Sequence, residues 1–162
     1  MVDVKAQNLL LGIMMLLVGD IHGTEAYQKN TKRPLRSNKI FKKYDISVNQ
    51  VQAIDACRIM HGRLALPESK EEDAQIRKII GNNFYMNPKP YNSAYWLRAD
   101  DKNYEGYWTD SFTGKPLKYL NFEASQLNSD SEDCLSINSY NSQWNNISCN
   151  LFTKGYLCEY TD

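Results

Sequence analysis

The chain reads as an α+β fold, and three observations predict it. Two segments with helical spacing come first, and beyond Gly81 only short β-prone pieces follow, separated by loops of Asn, Ser, Asp and Gly. Four cysteines, Cys57, Cys134, Cys149 and Cys158, lie downstream of an apolar N-terminal run, the last three crowding the C-terminal quarter. One long loop, Leu117 to Asp133, carries no helix or strand signal, and loops of that length in a compact domain are functional or disordered.

Leu9 to Val18 is a ten-residue apolar stretch broken only by Gly12. A bilayer needs about 20 apolar residues, so this run is too short to cross one. With Lys5 before it and Gly19-Asp20 after it, it fits a signal-peptide core, with cleavage expected after Gly23 or Ala26. A buried N-terminal helix is the competing reading. The expected organisation is a signal peptide over 1–23, a basic arm over 24–38 and one domain over 39–162, in a secreted, extracellular protein. An even cysteine count in an exported chain favours two disulfides over metal-bound thiolates. No Cys-x-x-Cys pair exists and His61 is the only histidine outside the signal segment, which argues against zinc.

Charge is uneven although the total is zero. Tyr27 to Lys43 holds seven bases and no acids, whereas from Tyr44 onward there are eleven bases and sixteen acids. The arm is either a cationic grip for anionic glycans or lipid surfaces or a solvated linker. An acidic folded part in an exported chain argues against nucleic acid as a partner.

Within the domain, Lys39 to Ile46 alternates as a first strand. Ser47 is the expected N-cap of a first helix, with Val51, Ile54 and Cys57 at helical spacing through to Gly62. Leu64-Ala65-Leu66 is a short strand closed by Pro67. Ser69 and Glu72 form a capping-box pattern that starts a second helix, with Ile76, Ile79 and Ile80 on its apolar face and Gly81 as terminator. The later strands are expected at Ala94–Leu97, Tyr107–Thr109, Cys134–Ile137, Gln143–Ile147 and Tyr156–Tyr160. Trp96, Trp108 and Trp144 fall in these pieces and are expected in the core.

Several short motifs then recur in one order: Ala53-x-x-x-Cys57, Gly62-x-Leu64-Ala65, Tyr95-Trp96-Leu97, Glu105-Gly106-x-Trp108, Glu132-Asp133-Cys134, Trp144-Asn145-Asn146-x-x-Cys149 and Cys158-Glu159. In order and spacing they resemble the C-type lectin-like domain family, from about Lys39 to Tyr160. The resemblance implies a short-form domain: two helices plus short antiparallel strands, a long irregular ligand-binding loop, and the disulfides Cys57–Cys158 and Cys134–Cys149. Two departures stand out. Gln50 replaces a usual tryptophan, and Arg98-Ala99 follow Leu97 where small and apolar residues are usual.

The resemblance also implies calcium as cofactor. Calcium takes six to eight oxygens from carboxylates, amides and carbonyls on adaptable loops, and Asp100 to Asp133 carries eight acids against three lysines. Carried over position by position, a sugar-contacting ion would use Gln126, Asn128, Glu132, Asn145 and Asn146. A supporting ion would use Asp101, Glu105, Asp133 and the Glu132 carbonyl, with Ser129 or Asp130 adding an oxygen. Gln126-Leu127-Asn128 stands where the family has Glu-Pro-Asn or Gln-Pro-Asp, and Asn146 replaces the usual aspartate. A cis bond before Leu127 would cost about 2.5–4 kcal/mol, so a trans loop is expected. Of the sugar-site ligands only Glu132 is charged, so the supporting ion is expected to bind more tightly. Asn146-Ile147-Ser148 is the one glycosylation sequon. It is either modified, which would cover the ion site, or partly buried beside Cys149.

These features imply a secreted carbohydrate-binding protein, a calcium-dependent lectin for galactose- or mannose-type glycans or glycoproteins on microbes or host surfaces. A calcium-independent protein-binding domain of the same fold is the alternative. No nucleophile motif such as Gly-x-Ser-x-Gly is present and no thiol stays free once the bridges form, so an enzyme is not expected.

Overall fold

The computed structural model describes residues 38–81, 90–122 and 131–161. The chain divides into two units, Met1–Arg36 and Ser37–Asp162, and all the described residues belong to the second. The signal segment and nearly all of the basic arm lie outside them.

The elements run β1 (Lys39–Tyr44), α1 (Gln50–Ile59), β2 (Arg63–Leu64), α2 (Lys70–Ile80), a 3-10 turn (Pro90–Ser93), β3 (Ala94–Asp100), β4 (Cys134–Asn138), β5 (Trp144–Ile147) and β6 (Gly155–Thr161). They form one sheet in the order β1-β6-β3-β4-β5, with β2 on β6. The terminal strands pair antiparallel from Lys39↔Thr161 to Tyr44↔Tyr156. The strands pair antiparallel as expected except at one junction, where β3 and β6 run parallel, Tyr95↔Gly155 and Trp96↔Tyr156. The cause is topological, because the last strand returns to the middle of the sheet between the first strand and β3. Gly155 permits this close return, since a Cβ there would collide with the Tyr44 carbonyl oxygen.

All seven residues of β3 are buried, so both its faces are covered. Alternation divides them. Tyr95, Leu97 and Ala99 pack with Ile76 and Ile80 of α2, with Leu135, Ile137 and Trp144, and with Trp108. Trp96 faces the other way, into Ala53 and Cys57 of α1, Leu64, Cys134, Ile147 and Cys158. One face of the sheet is thus closed by α2 and the loop after β3, and the other by α1 and the cysteines. The disulfides are Cys57–Cys158 and Cys134–Cys149, with Cα–Cα distances of 5.5 and 5.1 Å. In the chain-entropy account they contribute about 4.7 and about 3 kcal/mol. The first ties α1 to β6; the second ties β4 to the chain just past β5.

Local signals were displaced where tertiary contacts competed. The cap of α1 is Asn49, not Ser47: its side chain accepts from the Gln52 amide at 3.0 Å and Gln52 Oε1 accepts from the Asn49 amide at 3.1 Å. The intervening Val48 carbonyl is taken by the Trp96 indole N–H at 2.9 Å, which holds the chain extended there. Ser69 caps α2 as expected, accepting from the Glu72 amide at 3.2 Å, and Gly81 ends it at φ 69°. Tyr107–Thr109 is not a strand. Thr109 makes only isolated bridges to Asp100 and Pro116, and Pro116 has no N–H with which to extend a ladder. The short strand is Arg63–Leu64 in place of Leu64-Ala65-Leu66: the Ala65 N–H still donates to Leu157 of β6, but its carbonyl turns to β3 and accepts from the Arg98 N–H.

Candidate functional site

The acidic loop begins where β3 loses register with β4, between Trp96 and Asp100. An irregularity of this kind leaves carbonyls without ladder partners. Gln50, fully buried on α1, reaches across and donates its amide to the carbonyls of Leu97 and Ala99 at 3.2 and 3.3 Å. The sequence marked Gln50 only as a departure; a polar residue at a core position of an amphipathic helix was the signal that it serves buried carbonyls.

Asp101 follows directly. Its N–H donates to the Asp133 carbonyl at 3.2 Å, joining the ends of the two segments that carry acids. Asp101 Oδ2 accepts from the Gly106 N–H at 2.9 Å, and the turn is locked by Tyr104 N–H to the Asp101 carbonyl at 3.0 Å. Gly106, at φ 76°, supplies the left-handed conformation the turn requires. The turn brings Asp101, Glu105 and Asp133 together, with one carboxylate oxygen from each within 4.8 Å of the others. Asp101 is buried, Asp133 half-buried and Glu105 exposed. Asp101 Oδ1 is buried and accepts no hydrogen bond among the described residues. Burial first, then the nearby Asp133 and Asp100 charges, raise the Asp101 carboxyl above the ordinary aspartate range. Three converging carboxylates disfavour one another's charge. A hard cation of oxygen preference is what such a donor set fits, and calcium answers that description.

β5 lies two strands from β3. Asn146 pairs with Leu135 and Asn145 with Ser136, while Cys134, next to Asp133, pairs with Ile147. Asn145 is 9% exposed and Asn146 only 2%, and the side-chain oxygens of both are buried without a partner among the described residues. Glu132 is half-buried. Gln126 and Asn128, with Ser129 and Asp130, lie outside the described residues. The sequon asparagine sits in a buried strand, and a glycan on its amide would have to displace that packing. Tyr140, 39% exposed, occupies the turn between β4 and β5.

The second departure, Arg98, has a separate role. Its guanidinium donates to Glu159 at 2.7 Å, to Asp110 at 2.9 Å and to the Leu64 carbonyl at 2.9 Å. Glu159, 1% exposed, also accepts the Leu66 N–H at 3.0 Å and pairs with Arg63 at 3.3 Å and Lys39 at 3.8 Å. Sequence reading missed this network. The available signal was a pair of opposite charges, Arg98 and Glu159, inside two otherwise apolar strands.

A sequence model of the family described as "Lectin C-type domain" matches residues 46–160. A perlucin-like protein of Mytilus galloprovincialis is 28% identical over 112 residues, 68% of this chain and 69% of that protein. The low affinity immunoglobulin epsilon Fc receptor of Mus musculus is 30% identical over 114 residues, 67% of this chain but 30% of the receptor. Among solved structures, the carbohydrate-recognition domain of the mouse scavenger receptor C-type lectin superposes with a TM-score of 0.63 at 22% identity, covering 77% of this chain and 92% of that one. A calcium-independent type II antifreeze protein gives 0.64 at 19%, covering 78% and 89%. The cow CD23 carbohydrate-recognition domain, in the presence of a GlcNAc2Man3 oligosaccharide, gives 0.62 at 23%, covering 77% and 89%. At these identities the structural likeness is one of fold.

Proposed function

The chain belongs to the C-type lectin domain family, matched over residues 46–160, and from that premise we propose that it is a secreted, calcium-dependent lectin for galactose- or mannose-type glycans on microbial or host surfaces. The family is a binding fold, not an enzyme family, and a disulfide-bonded domain of this kind is an extracellular one. No helix of the described residues is long and apolar enough to cross a membrane. Secretion rests on the apolar run at Leu9–Val18.

The observation that carries the reading is the convergence of Asp101, Glu105 and Asp133 around a buried, unpartnered Asp101 oxygen. These residues would hold a supporting calcium with the Glu132 carbonyl. Glu132, Asn145 and Asn146, with Gln126 and Asn128, would hold the sugar-contacting one, which offers coordination positions to sugar hydroxyls. Two buried amide oxygens without partners, on Asn145 and Asn146, are donors of the right hardness for it. The supporting site keeps three carboxylates and the sugar site one, so the first ion binds more tightly.

The second reading, a calcium-independent protein-binding domain, is favoured by the neutral Asn146 and by Gln126-Leu127-Asn128. One similar structure is described as calcium-independent and another contains an oligosaccharide, so the fold accommodates both readings. A glycan array with and without calcium separates them, together with retention on galactose or mannose resin. Binding that chelator abolishes supports the lectin; no retention on any glycan, or retention indifferent to chelator, overturns its calcium-dependent form.

A further inference from the structure

One carboxylate outside the acidic loop gathers four side-chain donors. Asp73 lies on α2 and is fully buried. Its Oδ1 accepts the Trp144 indole N–H at 2.9 Å. Its Oδ2 accepts from Arg77 Nε at 2.7 Å, and from the Tyr119 hydroxyl and Asn121 Nδ2, each at 3.4 Å. Arg77, one helical turn along, is also its ion-pair partner and reaches solvent. A buried carboxylate without such company would be costly; this one has a cation and a full set of donors.

The residues that converge on Asp73 come from two places. Trp144 opens β5 and directly precedes Asn145 and Asn146. Tyr119 and Asn121 belong to the segment that crosses back over that strand: the Trp144 N–H donates to the Asn121 carbonyl at 2.9 Å, Phe122 bridges Trp144 in parallel, and the rings of Tyr119 and Phe122 meet the indole edge-on at 5.6 and 5.8 Å. Asn121 also donates to the Ser142 carbonyl at 3.4 Å. The indole is therefore clamped in its plane by aromatic edges and along its N–H by a helix.

We propose that Asp73 is a positioning residue for the ligand-binding edge: it fixes Trp144, and through Trp144 the register and orientation of the Asn145-Asn146 oxygens. The proposal rests on the lectin reading for its functional consequence, though not for its geometry. A carboxylate is needed because it only accepts. An amide at position 73 keeps one acceptor for the indole but turns an N–H towards Arg77, which can only donate, and takes away the oxygen to which Arg77, Tyr119 and Asn121 all donate. Outer partners of metal-binding groups commonly cost about 10- to 100-fold in metal affinity when removed.

The test compares wild type, Asp73→Asn and Trp144→Phe, the last keeping an aromatic ring while losing the N–H and part of the indole's buried volume. Calcium affinity of the folded protein is measured by calorimetry, and hydrogen exchange of the amides in β5 is measured against those in β1 and β6 without calcium. The expected result is a weaker calcium affinity in Asp73→Asn, by up to about tenfold because Asp73 acts through Trp144 and does not touch a ligand, with faster exchange confined to Trp144–Ile147 in both variants. Uniformly faster exchange through the sheet, or unchanged exchange in β5, overturns the proposal, as does wild-type calcium affinity in variants whose β5 has loosened. Should wild type bind no calcium, the lectin reading fails, and the exchange comparison alone decides whether Asp73 positions β5. If Asp73→Asn does not fold, Trp144→Phe carries the same comparison.

Discussion

The two ends of the sheet treat buried polar groups in opposite ways. Where β1, β2 and β6 meet, charge is matched by charge: Glu159 faces Arg98, Arg63 and Lys39, and Arg98 also reaches Asp110. Lys39 loses hydration by burial, yet Glu68, Glu159 and Glu72 together outweigh that loss and hold its ammonium above the ordinary lysine range. At the other end, three carboxylates converge, and the buried side-chain carboxylate and amide oxygens without partners, on Asp101, Asn145 and Asn146, are all found there. Among the described residues, the other buried side-chain groups without a partner are the hydroxyls of Ser111 and Ser139 and the Trp108 N–H. The contrast separates structure from function. The first end pairs its buried charges within the protein; the second is built of acceptors of the kind a hard cation fits.

The sharpest way to break this contrast is to damage the matched end alone. Glu159→Ala leaves Arg98 buried beside an absent partner and should cost about 3–5 kcal/mol in urea unfolding. Calcium affinity of the protein that remains folded should be unchanged. A drop in affinity of the same size as the stability loss would mean that the two ends are not independent.

The acceptor end should behave the other way round. In wild type, calcium at about 100 times its dissociation constant should raise stability by about 2.7 kcal/mol. Asp101→Asn should abolish that gain. Without calcium, the same substitution should leave stability equal or higher, because it removes one of three mutually repelling carboxylates. A calcium-free loss in Asp101→Asn would show that this carboxylate is structural.

A smaller effect is expected at the link between the regions. Gln50→Leu keeps the volume but leaves the Leu97 and Ala99 carbonyls buried without donors, and should cost about 1–3 kcal/mol. Part of the loss should appear as weaker calcium binding, since the irregularity it supports leads into Asp101. The smallest effects belong to the surface of the ligand end. Tyr140→Ala should change stability by no more than about 0.5 kcal/mol. Glycosidase treatment should leave the intact mass of the protein unchanged, because Asn146 is 2% exposed in its strand. A mass loss would place a glycan where the ion site is proposed.

The sequence made one of these regions far more legible than the other. Asp101, Glu105 and Asp133 came from the family resemblance, carried over position by position, and the fold brings one carboxylate oxygen of each within 4.8 Å of the others. The two helices were legible from periodicity and from Ser69 and Gly81, and the strands from β-branched and aromatic runs. What sequence could not give depends on contacts distant along the chain. The cap moved to Asn49 because Trp96, 48 residues beyond Val48, takes the Val48 carbonyl. The parallel β3–β6 junction is a property of where the last strand returns, and no local signal encodes it. Nothing in the sequence sets Asp73 apart from the other acids at the start of its helix; only the fold shows Trp144 arriving on its Oδ1. Arg98 stood out only as a departure from the family pattern, and Glu159, 61 residues away, meets it only once their strands are packed together.

If the unpartnered oxygens of the loop end hold calcium, calorimetric titration of the ion into wild type, Asp101→Asn and Asn146→Ala should show it. Wild type should give a tighter and a weaker binding phase, Asp101→Asn should lose the tighter one, and Asn146→Ala should lose only the weaker. A flat titration of wild type, or a tighter phase that survives Asp101→Asn, would mean that these oxygens hold no such ion.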